Sequence, residues 1–181
     1  MNIKPLIITS SIILSGCGAF TNNLHEAVPR TVYRSAQTDT EDLEEIISEN
    51  KIRSVLNLRS QNSEEYADER KTCERLRVDY YHLRLSARRA PTRTEMLELL
   101  DIFDKARTPL HIHCFGGADR TGLAITAYRL NKGQPFEQAI EALDFIPYGH
   151  IENEIDDFFE AYQPYQRRMP FREWVERLPS N

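Results

Sequence analysis

The sequence predicts an α/β protein built on a mostly parallel central sheet of about four to five strands, flanked by helices on both faces. Three observations lead there. Short strand-like runs alternate with helix-period runs along most of the chain, no internal repeat or low-complexity block interrupts them, and the most apolar strand runs straight into a glycine-containing loop that opens a helix.

Taken in order, Val32-Tyr33-Arg34 reads as a short strand, and Thr40 to Asn50 as a helix with Leu43, Ile46 and Ile47 on one face. Ser54 to Leu58 is the next strand. Asn62 with Glu65 forms a capping-box pattern that opens a helix to about Arg77, after which Asp79 to Leu85 alternates as a strand. A second capping box, Thr92 with Glu95, starts a helix through Lys105 that Pro109 cannot continue. Leu110 to His113 is then a buried strand, followed after the loop by a helix from Thr121 to about Asn131. Pro135 begins a further helix to Leu143, and Glu152 to Tyr162 forms another.

The loop after the buried strand reads His113-Cys114-Phe115-Gly116-Gly117-Ala118-Asp119-Arg120-Thr121-Gly122. A tight loop entering a helix aims several backbone N–H groups at one point and adds the positive end of the helix dipole, which makes a concave anion site. Gly116 and Gly117 let the chain bend without a Cβ penalty, and the backbone of Phe115, Gly116, Gly117 and Ala118 would cradle a phosphate. Cys114 stands at the base of that cup, where thiolate is favoured over thiol and attack on phosphorus becomes feasible. Arg120 carries the planar fork that matches two phosphate oxygens and can tighten on them in the transition state. Thr121 places a hydroxyl within reach of the sulfur, and His113 is expected to order the loop through hydrogen bonds to its backbone.

This string resembles the signature loop of the cysteine-dependent protein tyrosine and dual-specificity phosphatases, His-Cys-x2-Gly-x2-Arg-Ser/Thr-Gly. Three further blocks, Tyr33-Arg34-Ser35-Ala36-Gln37, Ile52 to Arg59, and Pro109 to Cys114, look like the ordered blocks of bacterial dual-specificity-like phosphatases, relatives of atypical enzymes acting on phosphotyrosine or inositol pyrophosphates. The likeness spans roughly residues 28 to 165. It implies the phosphatase fold and metal-independent hydrolysis of phosphomonoesters through a phosphocysteine, with phosphoproteins, phosphoinositides or inositol phosphates as substrates. In that superfamily a mobile loop before the third helix usually carries an aspartate that protonates the leaving oxygen. Here the stretch is Leu85-Ser86-Ala87-Arg88-Arg89-Ala90-Pro91, without a carboxylate. Asp79 lies at the far end of its strand, so Asp119, inside the signature loop, is the better candidate acid; His150 is a second one. A lipid-anchored phosphate-binding protein without turnover is the alternative that the missing aspartate leaves open. Sulfur transfer through a persulfide on Cys114 is a third reading, against which Arg120-Thr121-Gly122 argues.

Arg34, Arg59, Arg84, Arg88 and Arg89 all fall at or just after the carboxyl ends of strands, where parallel sheets collect ligands, with Arg59, Arg88 and Arg89 the expected substrate contacts. Tyr33, Tyr81 and Tyr148 could line the same cleft, while Trp174 and the other tyrosines are expected to pack the core and C-terminal segment. His111 and His113 share one strand face but lack a third ligand at recognisable spacing, so neither a metal nor another cofactor is expected.

The first residues set the location. Met1 to Lys4 are a positively charged start, Leu6 to Leu14 an apolar stretch too short to span a bilayer, and Leu14-Ser15-Gly16-Cys17 resembles a bacterial lipobox. That implies a signal peptide over residues 1–16, lipidation of Cys17, a tether over 17–30 and a single domain over 31–181. Gly18 after the cysteine favours the periplasmic face of an outer membrane in a Gram-negative source. Lys4 is the only charge among the first 16 residues, so removing them takes 23 basic against 28 acidic residues to 22 against 28, a net of about −6. Such a balance gives no nucleic-acid partner and no polybasic membrane patch. Once Cys17 is lipidated two thiols remain, Cys73 and Cys114, which an oxidising compartment could join, although Cys73 also reads as a small packed hydrophobe.

Overall fold

The structure, a computed structural model, describes residues 22–61 and 64–180. The expected signal peptide, Cys17 and the expected Asn62 cap lie outside the described residues. Five strands form one sheet, β1 (His25–Val28), β2 (Val32–Ser35), β3 (Ser54–Asn57), β4 (Asp79–His82) and β5 (Leu110–His113), in the order β1-β2-β5-β3-β4. All neighbours are parallel except the β1–β2 pair. β1 is a correction: residues 25–28, expected within a tether, turn back at Pro29-Arg30 and pair along the sheet edge. Alternation there is too short to register as a strand before its partner is in place.

Eight helices accompany the strands among the described residues. Helix α1 (Thr40–Asn50) begins where the Asp39 side chain accepts from the Asp42 N–H. Helix α2 (Glu64–Leu76) follows β3, and α3 (Arg93–Lys105) carries the complete Thr92/Glu95 capping box that the sequence announces. After β5 comes α4 (Asp119–Asn131), buried on every side, as befits a helix that other helices cover. The run from Pro135 becomes α5 (Phe136–Ile140) continued by a 3₁₀ turn at Glu141–Leu143. A short turn α6 (Phe145–Tyr148), α7 (Glu154–Glu160) and α8 (Phe171–Glu176) complete the fold, and α8 seats Trp174 and Phe171 in the core.

Both faces of the sheet are covered. On one, Leu56, Leu110 and Ile112 meet α3, α4 and the C-terminal helices; on the other, Val55 packs with Leu43, Ile46 and Ile47 of α1 and Cys73 of α2. The strand period then decides the fate of β5: Leu110 and Ile112 enter the larger core, and His111 and His113 point to the α1–α2 side.

His111 is fully buried, and burial, reinforced by His113, holds its pKa well below the usual 6.5. Ser35 Oγ gives its proton to the Ala36 carbonyl (2.6 Å), so it accepts from His111 Nε2 (2.8 Å), which leaves Nδ1 bare and without a partner. The unfolded chain takes up a proton at this histidine near pH 6.5 and the folded chain does not. Stability is therefore full above about pH 6.5 and is lost as pH falls toward the depressed folded value, by up to about 1.4 kcal/mol per pH unit. Urea unfolding at pH 7 and pH 5 is expected to show a smaller pH difference for His111→Gln than for the natural chain.

Candidate active site

β5 delivers Cys114 to the centre of the sheet's carboxyl edge, because His113 pairs with Ser35 of β2 on one side and Asn57 of β3 on the other. The loop that follows is pinned at its start: the Leu58 N–H donates to the His113 carbonyl (3.0 Å) and the Gln37 N–H to the Phe115 carbonyl (3.1 Å). Gly117 has φ +70°, and a Cβ there would lie 2.7 Å from Ala36 N and the Ser35 carbonyl, so both conformation and space require glycine. Gly116 has open space around it and no positive φ, which narrows the expected need for two glycines to one. Ala118, at the N-cap of α4, offers no side-chain cap, so the first-turn N–H groups stay available to an anion. Cys114 is 2 % exposed beside them.

Arg34 corrects one expectation. It shares a strand face with the core residue Val32, is 0 % exposed, and stands beneath the loop rather than at the mouth. Its Nη1 donates to the Ala142 carbonyl (2.8 Å) and its Nη2 to those of Gly117 (2.8 Å) and Ala118 (3.4 Å), while the guanidinium carbon lies 3.6 Å from the Tyr148 ring centre. Burial lowers its pKa to about 10, against the opposing pull of Tyr148 and Cys114, so it keeps its charge at neutral pH. A cation thus sits under the nucleophile and orients the carbonyls of the loop away from the phosphate site.

His113 is a second correction, since it does not bond the loop backbone. Its Nε2 faces Glu69 Oε1 of α2 at 2.6 Å, both side chains being buried. Glu69 Oε2 accepts from Asn57 Nδ2 (3.0 Å) and Gln37 Nε2 (3.3 Å). Through His113 and Gln37 a single carboxylate therefore braces the loop from both flanks. A buried carboxylate with three donors is satisfied; removing any one leaves charge uncompensated.

Among the described residues Arg120 donates only through Nη1 to the Leu58 carbonyl at 3.5 Å, and its buried Nε has no partner, so most of its fork is free for oxygen ligands. Thr121 is fully buried, and its Oγ1 makes no hydrogen bond, including none to Cys114 Sγ. Asp119, in the first turn of α4, meets His150 Nδ1 at 2.8 Å. His150 is buried, and its Nε2 faces Asp156 Oδ2 at 2.9 Å, an oxygen that also accepts the Asn153 N–H (2.8 Å). With Nε2–H given to Asp156, one proton is shared between His150 Nδ1 and Asp119. The two candidate acids of the sequence are thus one connected unit.

A thiol at a strand end, an uncapped helix start, a loosely held arginine and a carboxylate in a single cup also agree with known proteins. The family described as polymorphic toxin system, DSP-PTPase phosphatase matches residues 29–134. The chain belongs to the DSP-PTPase phosphatases. These are cysteine-dependent, metal-independent enzymes of the tyrosine and dual-specificity type. Among solved structures, TpbA of P. aeruginosa in complex with pTyr is 19 % identical over 81 % of this chain and 91 % of its own, with a TM-score of 0.61. The core catalytic domain of the PP-IP phosphatase SIW14 from S. cerevisiae, in complex with citrate, is 20 % identical over 77 % and 85 %, TM-score 0.64. PTPMT1 in complex with PI(5)P is 16 % identical over 80 % and 96 %, TM-score 0.62. No curated protein matches the sequence.

Around the mouth of the phosphatase the arginines divide. Arg59 donates to Gln37 Oε1 (2.7 Å) and lies 5.4 Å from the Phe115 ring centre, beside the loop. The stretch 86–91 starts beside Arg120, because the Leu58 carbonyl that Arg120 touches also accepts the N–H of Leu85 just before it (3.4 Å). Within that stretch Arg88 is exposed and its side chain has no partner among the described residues, whereas Arg89 is tied to Glu95 at 2.7 Å and is not free for substrate. Arg84 shares a depression with Arg89. Asp79 is held by Arg107 (2.6 Å), which keeps its carboxyl below the usual range. Of the tyrosines only Tyr148 adjoins the loop; Tyr33 donates to Glu26 Oε1, and Tyr81 lines a groove along α3.

Cys73 and Cys114 are both free and belong to separate clusters, so the contemplated disulfide does not form in the folded phosphatase. Burial and the nearby Glu69 push the Cys73 thiol up to about 12, which suits a packing residue. The sequence reading missed Glu69. Its signal was a carboxylate four residues before Cys73 on the inward stripe of α2.

Proposed function

We propose that the protein hydrolyses phosphomonoesters at the envelope surface, anchored through a lipid on Cys17, with Asp119 as its general acid. The observation that carries the reading is the placing of buried Cys114 and of Arg120, whose fork is held by one long bond to the Leu58 carbonyl, at the uncapped start of α4. Cys114 Sγ attacks phosphorus as the bond to the leaving oxygen breaks, and that oxygen takes the proton held between Asp119 and His150. Arg120 and the loop N–H groups hold the three equatorial oxygens. A water then displaces the thiolate and returns its proton to Asp119, with Thr121 Oγ1 free to turn toward the departing sulfur. Substrates with several negative charges, phosphotyrosine proteins or the phosphates of inositols and phospholipid headgroups, suit Arg59 and Arg88 at the rim. The phosphotyrosine, inositol pyrophosphate and phosphoinositide ligands or substrates named for structural relatives support that class.

The mature protein is expected to release phosphate from para-nitrophenyl phosphate in EDTA and to be inhibited by vanadate; absence of turnover on aryl phosphates, phosphopeptides and inositol phosphates would refute the proposal. Asp119→Asn is expected to slow alkyl phosphates by roughly 10²-fold or more and para-nitrophenyl phosphate by less than about tenfold, since the nitrophenolate leaves without a proton. Equal losses on both would make Asp119 a structural residue.

A further inference from the structure

Five large hydrophobic side chains stand exposed among the described residues, and four of them gather around the catalytic mouth. Phe115, Phe145, Ile146 and Ile151 are 69, 66, 78 and 70 % exposed, against 46 % for Tyr165 elsewhere. Hydrogen bonds hold their segments together. Asn23 Nδ2 donates to the carbonyls of Gly116 and Tyr148, each at 3.0 Å, so the catalytic loop and the α6 turn flank one side chain. Ile151 follows His150, which is bonded to Asp119 of the same loop. Solvent-facing apolar groups concentrated in this way mark a surface that is covered in use.

The chain itself says what covers it. The Asn22 carbonyl accepts from the Ala36 N–H (2.6 Å), directly beside the Gly117 contact, so the described chain begins at the rim of the mouth. Cys17 lies five residues earlier, a span of at most ~18 Å even when fully extended. Arg59 and Arg88 add positive charge to the rim of a protein that is acidic overall.

We propose that this rim is a membrane-docking face. Held by the lipid on Cys17, an assignment on which this inference rests, the phosphatase lies mouth-down on the bilayer. Phe145, Ile146 and Ile151 enter the boundary between headgroups and acyl chains, with Phe115 beside them, and the rim arginines meet lipid phosphates. The substrate it takes is then a phosphate borne on a molecule in the membrane plane.

The test replaces the lipid by a hexahistidine tag ahead of Gly18 and binds the mature chain to vesicles of phosphatidylglycerol and phosphatidylcholine containing a nickel-chelating lipid. An Ile146→Trp variant reports insertion. Its emission is expected to shift to the blue and to be quenched at least twofold by lipids brominated on the acyl chain. The same variant tethered through its C-terminus is expected to show less than half that quenching, and Ile146→Ser/Ile151→Ser should cut binding of the untagged chain to the same vesicles about tenfold. Turnover of para-nitrophenyl phosphate should be unchanged in every variant, which verifies folding. No quenching from the N-terminal tether would overturn the proposal. So would a blue shift that grows with protein concentration in the absence of vesicles, which would assign the face to a second copy of the chain. Because the tag stands in for the lipid, the docking result is independent of Cys17; radiolabelled palmitate incorporation that survives Cys17→Ala would separately overturn the anchor.

Discussion

Cys114→Ser is expected to lower phosphate release by at least about 10⁴-fold while phosphate still binds. The serine hydroxyl fits the same space at the end of β5 but is not ionised at neutral pH, and His113 next to it is engaged with Glu69. The cup itself is made by other atoms. Gly117, the open first turn of α4 and the Arg120 fork are untouched, so the variant should trap substrate without turning it over. Steady-state rates on para-nitrophenyl phosphate, with calorimetric titration of inorganic phosphate, separate the two effects. Retention of more than about one per cent of the rate would show that the nucleophile is another group.

Arg34→Met is expected to cost about 3–5 kcal/mol of stability, a fall in Tm of roughly 10 °C, and most of the activity. Methionine fills much of the volume but gives no donors to the Gly117 and Ala142 carbonyls, which stay buried. Tyr148 also loses the cation stacked at 3.6 Å, and Cys114 the positive charge below it. Arg34→Lys should recover only part of the loss, because one ammonium cannot span two carbonyls that the guanidinium fork reaches together. Urea unfolding and aryl phosphatase rates measured on the three chains test this directly. Equal stability of the methionine variant would mean that the buried hydrogen bonds contribute nothing net.

The strand-to-helix frame and the catalytic loop were legible because each is written in local sequence. The Thr92/Glu95 capping box, the Leu110–His113 strand and the loop glycine at Gly117 need only near neighbours to explain them. What could not be read was the scaffold behind the loop. Arg34 bonds partners 83 and 108 positions away, and Glu69 meets His113 across 44. Only the assembled sheet brings such residues together, so a strand arginine looked like a surface charge at the mouth. The link from Asp119 through His150 to Asp156 had the same character: both acid candidates were visible, and their contact was not.

The central position of β5 has a consequence for the chain before it is folded. Its two neighbours come from residues 32–35 and 54–57, so the cup appears only after segments from distant parts of the chain have met. Until then Cys114 is unsheltered and free to find Cys73; afterwards the two thiols belong to different clusters. In any oxidising compartment the risk of a silencing disulfide would therefore fall on the newly made chain, and completion of the sheet is what protects the working enzyme.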